Sequence, residues 1–325
     1  MKALFSVLAV AAVLVFVVWQ EWGPEAGEPK DASRKGGAFA DGERPLPALS
    51  TNTTIATMET SPGGASPAPA PSPSDAVERP ADPPLGRAEF AREAAGGAVI
   101  PALKRASAAL LAAPDGPERE AYLADVLPLS GRHFLSRHAG PEVSFEHVVA
   151  SGDTLARLAR TWKEEKGALL TAEFVMAVNG MTDPRRLSVG QRLRVVTARP
   201  SLHVDKARHR LDYLLDGVIV REFRVGLGRD NRTPEGSFVI ASRLDSPVWF
   251  NEGESIPFGD SRNILGTRWL GFENRDDLFG FGIHGTNDET TIGKDVSNGC
   301  VRMRNRDVEA LFDLVPIGTP VTIVP

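Results

Sequence analysis

Between Gly23 and about Pro84 the chain is dominated by Pro, Ala, Ser, Gly and Thr, and Ser66 to Ser74 reads S-P-A-P-A-P-S-P-S. Such a stretch carries too little apolar surface to offset the entropy of ordering it, so it forms no packed domain and is expected to be a flexible tether, residues 23–85. Ahead of it, Lys2 precedes an apolar run from Ala3 to Trp19 broken only by Ser6, and the acidic Glu21 and Glu25 follow. The run is at the short end of what crosses a bilayer as a helix. It ends Val17, Val18, Trp19, Gln20 rather than in a small-residue cleavage site, so residues 1–22 are read as an uncleaved signal anchor, with a cleaved signal peptide as the alternative. Basic charge before the run and acidic charge after it place the remainder outside the cytoplasmic membrane, in the periplasm or cell wall.

A formal net charge of −5, with no basic stripe, removes nucleic acid from the candidate partners. The single cysteine, Cys300, is informative in an exported chain. Exported proteins normally pair cysteines as disulfides, so an unpaired one points to an intermolecular bond or a reactive thiol.

After the tether, Leu103, Ala106, Leu110 and Leu111, then Tyr122, Leu123 and Val126, fall at helical spacing on either side of the Pro114-Asp115-Gly116-Pro117 break. This predicts a helical hairpin serving as a spacer over residues 86–140. His133 and His138 lie roughly 140° apart on a helix and are read as surface or interface residues, not metal ligands. From about Phe145 to Val196 the pattern is strand, helix, helix, strand. Gly152-Asp153-Thr154 forms a turn and cap, Leu155, Leu158 and Ala159 form a stripe, Thr171 caps a second helix, and Asn179-Gly180 ends it. The runs V-A-S-G-D-T-L-A-R-L-A, N-G and L-S-V-G-Q-R-L-R-V make residues 145–197 resemble the LysM family, with Trp162 to Leu170 longer than is usual there. The resemblance implies binding of peptidoglycan glycan strands in a shallow groove lined by Gly152, Asp153, Thr154, Leu155, Asn179 and Gly180. Gly152, Asp153 and Asn179 are equally ordinary turn and cap residues.

From Leu202 onward the pattern is β. Leu211, Tyr213 and Leu215 alternate toward Asp216-Gly217, a tight-hairpin signal, and further short strands are punctuated by Gly and Pro. Asn305 is placed as the cap of one helix carrying Val308, Leu311 and Phe312. Between the strands lie G-F-G-I-H-G-T-N-D, Gly280 to Asp288, and V-S-N-G-C-V-R-M, Val296 to Met303. A thiol is only a few per cent ionised at neutral pH, so an imidazole beside it is what makes it an effective nucleophile. Glycines 282, 285 and 299 suit sharp turns and close substrate approach, and amides around Gly299 and Cys300 suit an oxyanion. No C-x-x-C or H-E-x-x-H spacing suggests zinc, and no cofactor is implied.

The I-H-G-T-N run, the S-x-G-C-V-R-M run, the upstream T-P-E-G turn and the closing G-T-P-V-T-I strand make residues 201–325 similar to the YkuD-type L,D-transpeptidase family. That resemblance implies a mainly β, sandwich- or barrel-like catalytic domain with one C-terminal helix. It implies a cysteine acyltransferase, a carbapenem target, that cross-links the third-position diamino acids of peptidoglycan stem peptides through a thioester. Cys300 would be the nucleophile, His284 the base and the Gly285 carbonyl its orienter. Ser297 and Gly299 would support the site, and Arg302 would position substrate or steady the loop. Asn298 stands where related motifs carry histidine. An L,D-carboxypeptidase of the same mechanism, or a wall-tethering protein with an inert catalytic domain, are the alternatives. The Arg243 to Asn274 insertion, with Trp249, Phe250 and Trp269, is read either as a lid or as core.

Overall fold

The computed structural model describes residues 83–325 apart from 252, 276 and 277; the expected anchor and nearly all of the tether lie outside the described residues. Among the described residues no helix is long and apolar enough to cross a membrane.

Three helices come first: α1, Arg87–Ala95, α2, Val99–Ala112, and α3, Pro117–Phe134. The expected hairpin is α2 and α3, with Pro117 opening α3 where a missing N–H costs nothing. These helices do more than separate modules. Leu103, Ala106, Leu110, Val126 and Phe134 share one core with the large sheet that follows, and the Ser107 hydroxyl accepts from the Ile219 amide at 2.9 Å. Around that junction a buried charge cluster forms. Arg119 pairs with Glu222, and Arg210, 1% exposed, donates to Asp212 at 3.2 Å and to the Leu111 carbonyl at 3.2 Å. Removing one member would leave the others as uncompensated buried charge, which typically costs about 3 to 5 kcal/mol. The helices are therefore locked to the sheet.

The small module follows as β1, Ser144–Val148, α4, Leu155–Lys166, α5, Ala172–Asn179, and β2, Arg192–Val196, with β1 and β2 antiparallel. Thr154 and Thr171 cap their helices by accepting from Arg157 N and Phe174 N. The Trp162 to Leu170 stretch carries the last turn of α4, which buries Trp162 and closes at Gly167 in the left-handed region. One face of α5 completes the module, through Val175. The other sends Phe174 and Val178 into the main core, each worth roughly 1.5 to 3 kcal/mol of burial.

The catalytic region supplies β3, Pro200–Asp205, β4, Arg210–Leu215, β5, Val218–Arg224, β6, Leu227–Gly228, β7, Gly236–Asp245, β8, Trp249–Asn251, β9, Glu254–Ile256, β10, Arg268–Phe272, β11, Gly282–His284, β12, Asp295–Ser297, β13, Val301–Arg302, α6, Asn305–Leu314, and β14, Pro320–Val324. Eight strands form one sheet in the order β13-β11-β10-β7-β14-β3-β4-β5. The Asp216-Gly217 turn joins β4 to β5 with both residues at positive φ, as a two-residue hairpin requires. Most neighbours are antiparallel, but β11 and β13 run parallel at one edge with Ile283 opposite Val301 and His284 opposite Arg302. That edge carries the site.

Candidate active site

A parallel pair needs a return connection, and here residues 285–300 make it. The pairing sets His284 at the register of Arg302. Cys300 sits in the bend that leads directly into β13, so the same pairing brings it beside the end of β11. The 16-residue separation of His284 and Cys300 is thereby folded into one pocket of about 640 Å³, whose lining also includes Ser297, Asn298 and Arg302.

His284 is fully enclosed, 2% exposed, and its Nδ1 lies 2.6 Å from the Gly285 carbonyl. A carbonyl can only accept, so Nδ1 carries the proton and Nε2 is the basic nitrogen. Burial pushes the imidazole down to about 4, against the smaller upward pull of that carbonyl, so the ring is neutral at ordinary pH. The Cys300 thiol is half-buried, with Sγ 3.6 Å from the Gly280 carbonyl, and burial pushes it up. The resting pair is thus thiol and imidazole rather than an ion pair.

Ser297 ties the turn at Cys300: its hydroxyl donates to the Cys300 carbonyl at 2.7 Å and accepts from the Gly299 amide at 3.0 Å. The Gly299 amide is therefore committed, which corrects the expectation that it faces an oxyanion. What position 299 requires is the absence of a side chain. Its φ is +133°, and a Cβ would stand 2.5 Å from Phe281. Arg302 lines the pocket with Nε unpartnered, and burial lowers its guanidinium from the ordinary arginine range.

The insertion divides between the two readings left open for it. Trp269 is a wall of the site. It is the register partner of His284 on β10, and its ring stacks on the imidazole at 5.8 Å and 23°. Gly282 makes room for it, since a Cβ there would meet the Leu270 carbonyl at 2.6 Å and the indole at 2.9 Å. Trp249 and Phe250 line the pocket from β8, with Phe250 75% exposed, in the position of a cover.

Asn305 was expected to cap α6. Instead it is the first helical residue, Arg304 holds the cap position, and the Asn305 carboxamide reaches back to the Thr267 and Thr286 amides. Nothing in the sequence pattern distinguishes this from capping, because Asn before an apolar periodicity is the ordinary cap signal.

In the small module, Gly152, Asp153, Thr154 and Leu155 form the entry to α4, and Asn179 and Gly180 the end of α5. The Asp153 carboxylate accepts from the Ala150 amide and Arg157. Leu155 is buried in the module core. The Asn179 amide stitches α5 to β2 through Val175 O, Arg194 O and Arg194 N. These side chains serve the module's own turns.

Cysteine and histidine converging in one pocket at the edge of a mainly β domain define a candidate acyl-transfer enzyme. Comparison with known proteins gives the family. Residues 199–323 match the model of the L,D-transpeptidase catalytic domain, YkuD, and residues 147–196 match the LysM domain. YqjB of Bacillus subtilis, which bears an L,D-transpeptidase name, is 40% identical over 38% of this chain and 70% of its own. YkuD of Bacillus licheniformis, named likewise, is 33% identical over 55% of this chain and 98% of its own. The chain belongs to the YkuD family of L,D-transpeptidases. A solved L,D-transpeptidase from Mycobacterium smegmatis is similar over 42% of this chain and 65% of that one, at 19% identity and a TM-score of 0.31, a likeness too distant to add to this.

The enclosure of His284 has a measurable consequence. Its folded value, about 4, lies below the ordinary 6.5, so between these pH values the unfolded chain binds the proton and the folded one does not. Stability falls as pH drops through that window, by about 3 kcal/mol for this group, and the loss levels off below it. Urea unfolding of wild type and His284→Gln should show the wild type losing about that much more between pH 6.5 and pH 4. Parallel stability curves would mean the imidazole is not held neutral.

Proposed function

We propose that this L,D-transpeptidase acts through a Cys300 thioester. The observation that carries the reading is the β11–β13 register, which sets the Nδ1-anchored imidazole of His284 and the Cys300 thiol in one pocket. Nε2 of His284 removes the Sγ proton as sulfur attacks the carbonyl of the third residue of a tetrapeptide stem. Starting from a neutral pair, proton transfer and attack are coupled, which is general-base catalysis. The Cys300 amide is assigned to the developing oxyanion, and Arg302 to a substrate carboxylate at the pocket wall. The tetrahedral adduct collapses with loss of the terminal D-alanine, whose nitrogen takes the proton from His284. The side-chain amine of a second stem's third residue then attacks the thioester, and Cys300 is regenerated as the cross-link forms. No ATP or metal enters the balance, because the cleaved amide supplies the acyl group.

An apolar lining favours amine over water as acceptor. The described pocket wall includes the apolar side chains of Leu244, Val248, Trp249, Phe250, Trp269 and Phe281, surroundings in which water competes less well for a thioester. This supports transpeptidation over the carboxypeptidase alternative. The LysM domain suits retention on glycan strands, and its pairing with an L,D-transpeptidase domain suits a protein of the cell wall or periplasm.

Two experiments check the parts separately. Intact-mass analysis after carbapenem treatment should show one adduct on wild type and none on Cys300→Ala, with His284→Ala acylated slower by on the order of 10²-fold; equal labelling of Cys300→Ala would remove the mechanism. The catalytically dead Cys300→Ala protein should still co-sediment with purified sacculi, and its staying wholly in the supernatant would reduce the small module to a structural element.

A further inference from the structure

His284 has no carboxylate among the described groups that hold its ring. The orienting contact is a backbone carbonyl, Gly285 O, 2.6 Å from Nδ1. A carbonyl is a weaker and less fixed partner than an aspartate unless something holds its peptide plane. The Gly285 carbonyl belongs to the same peptide unit as the Thr286 amide. That amide donates to Asn305 Oδ1 at 3.1 Å. A second amide, Thr267 N, donates to the same oxygen at 3.2 Å.

The packing is equally specific. The Asn305 oxygen occupies the space where a Cβ on Gly285 or on Gly266 would stand, so both segments close directly on it. Gly266 also has φ +64°, a conformation that costs glycine nothing. Asn305 is anchored in turn by its place in the first turn of α6, whose Val308 and Leu311 are fully buried. It sits outside the pocket lining and touches no reacting atom.

We infer that Asn305 is the positioning residue of this site: its carboxamide oxygen, through the Gly285–Thr286 peptide unit, fixes the acceptor of the His284 Nδ1 proton. The chain runs from Asn305 Oδ1 to the Thr286 amide, across the peptide to the Gly285 carbonyl, and on to Nδ1–H. Each link polarises the next in the same sense, so an acceptor at one end raises the basicity of Nε2 at the other. This stands in for the carboxylate that orients histidine in other catalytic constellations. The inference rests on the proposed roles of Cys300 and His284.

Three variants separate the possibilities. Asn305→Ala removes the acceptor; Asn305→Asp keeps an acceptor oxygen at that place, replaces the NH2 by a second oxygen and adds negative charge at a helix start, where it is tolerated. Arg302 on β13 is the charged group facing the imidazole, Trp269 faces it from β10 and the Cys300 thiol from the same pocket, so a new carboxylate at 305 would be unopposed by an existing one. Carbapenem acylation rates are measured against pH beside thermal midpoints. Asn305→Ala should acylate slower by at least about tenfold, the usual cost of small misplacements in a catalytic pair. Asn305→Asp should recover most of that rate and move the acid limb of the profile to higher pH. Acylation of Asn305→Ala within about twofold of wild type would overturn the inference, as that is below the misplacement cost. So would an Asn305→Asp limb at the wild-type position, which also decides the matter if Asn305→Ala does not fold. Labelling of Cys300→Ala in the same series would instead refute the thioester reading and leave the Asn305 geometry as structure only.

Discussion

The parallel pairing of β11 with β13 is the constraint on which the site depends. It is a short contact, two residue pairs at the edge of an otherwise mostly antiparallel sheet. A parallel neighbour cannot follow through a tight turn, so the chain must travel out and back, and residues 285–300 are that excursion. The register sets His284 beside Arg302 and brings the bend at Cys300, just ahead of β13, to the same pocket; a slip of one residue would turn His284 or Arg302 to the opposite face. Reciprocal bonds between Gly226 and Arg302, each 2.8 Å, brace β13 from its other side. The Ser297 hydroxyl, the missing side chain at Gly299 and the Trp269 stack then refine a placement the ladder has already made.

The same region shows why glycine, not charge, dominates the motif. The indole of Trp269 can lie along His284 because Gly271 and Gly282 offer no Cβ beneath it. Gly285 can abut the Asn305 carboxamide for the same reason. Burial by these neighbours keeps the imidazole neutral, and a neutral imidazole can accept the thiol proton during attack. Helices α1 to α3 act from the opposite edge of the sheet. Of these, α2 and α3 pack on β5 and are tied to it by Arg119 with Glu222 and by the Ser107 hydroxyl on the Ile219 amide.

Much of this was legible in the sequence. The Asp216-Gly217 hairpin and the Thr154 and Thr171 caps follow from turn chemistry and periodicity, and the pairing of His284 with Cys300 from the resemblance of their motifs to the YkuD family. Less legible were features that depend on long-range packing. Asn305 carries the local signature of a cap, yet its oxygen is used by loops 19 and 38 residues away in sequence. Trp269 is an ordinary strand residue until β10 pairs with β11. The Gly299 amide looked available until Ser297 claimed it. The helices read as a spacer because an apolar stripe shows that a helix packs, not what it packs against.

The central claim is acyl transfer from a donor stem to an acceptor amine through Cys300. Mass spectrometry of muropeptides after incubating purified protein with disaccharide-tetrapeptides measures it directly. The wild type should give dimers joined between third-position residues, with loss of one D-alanine per cross-link, and Cys300→Ala none. Dimers formed equally by Cys300→Ala, or only trimmed monomers from the wild type, would contradict it.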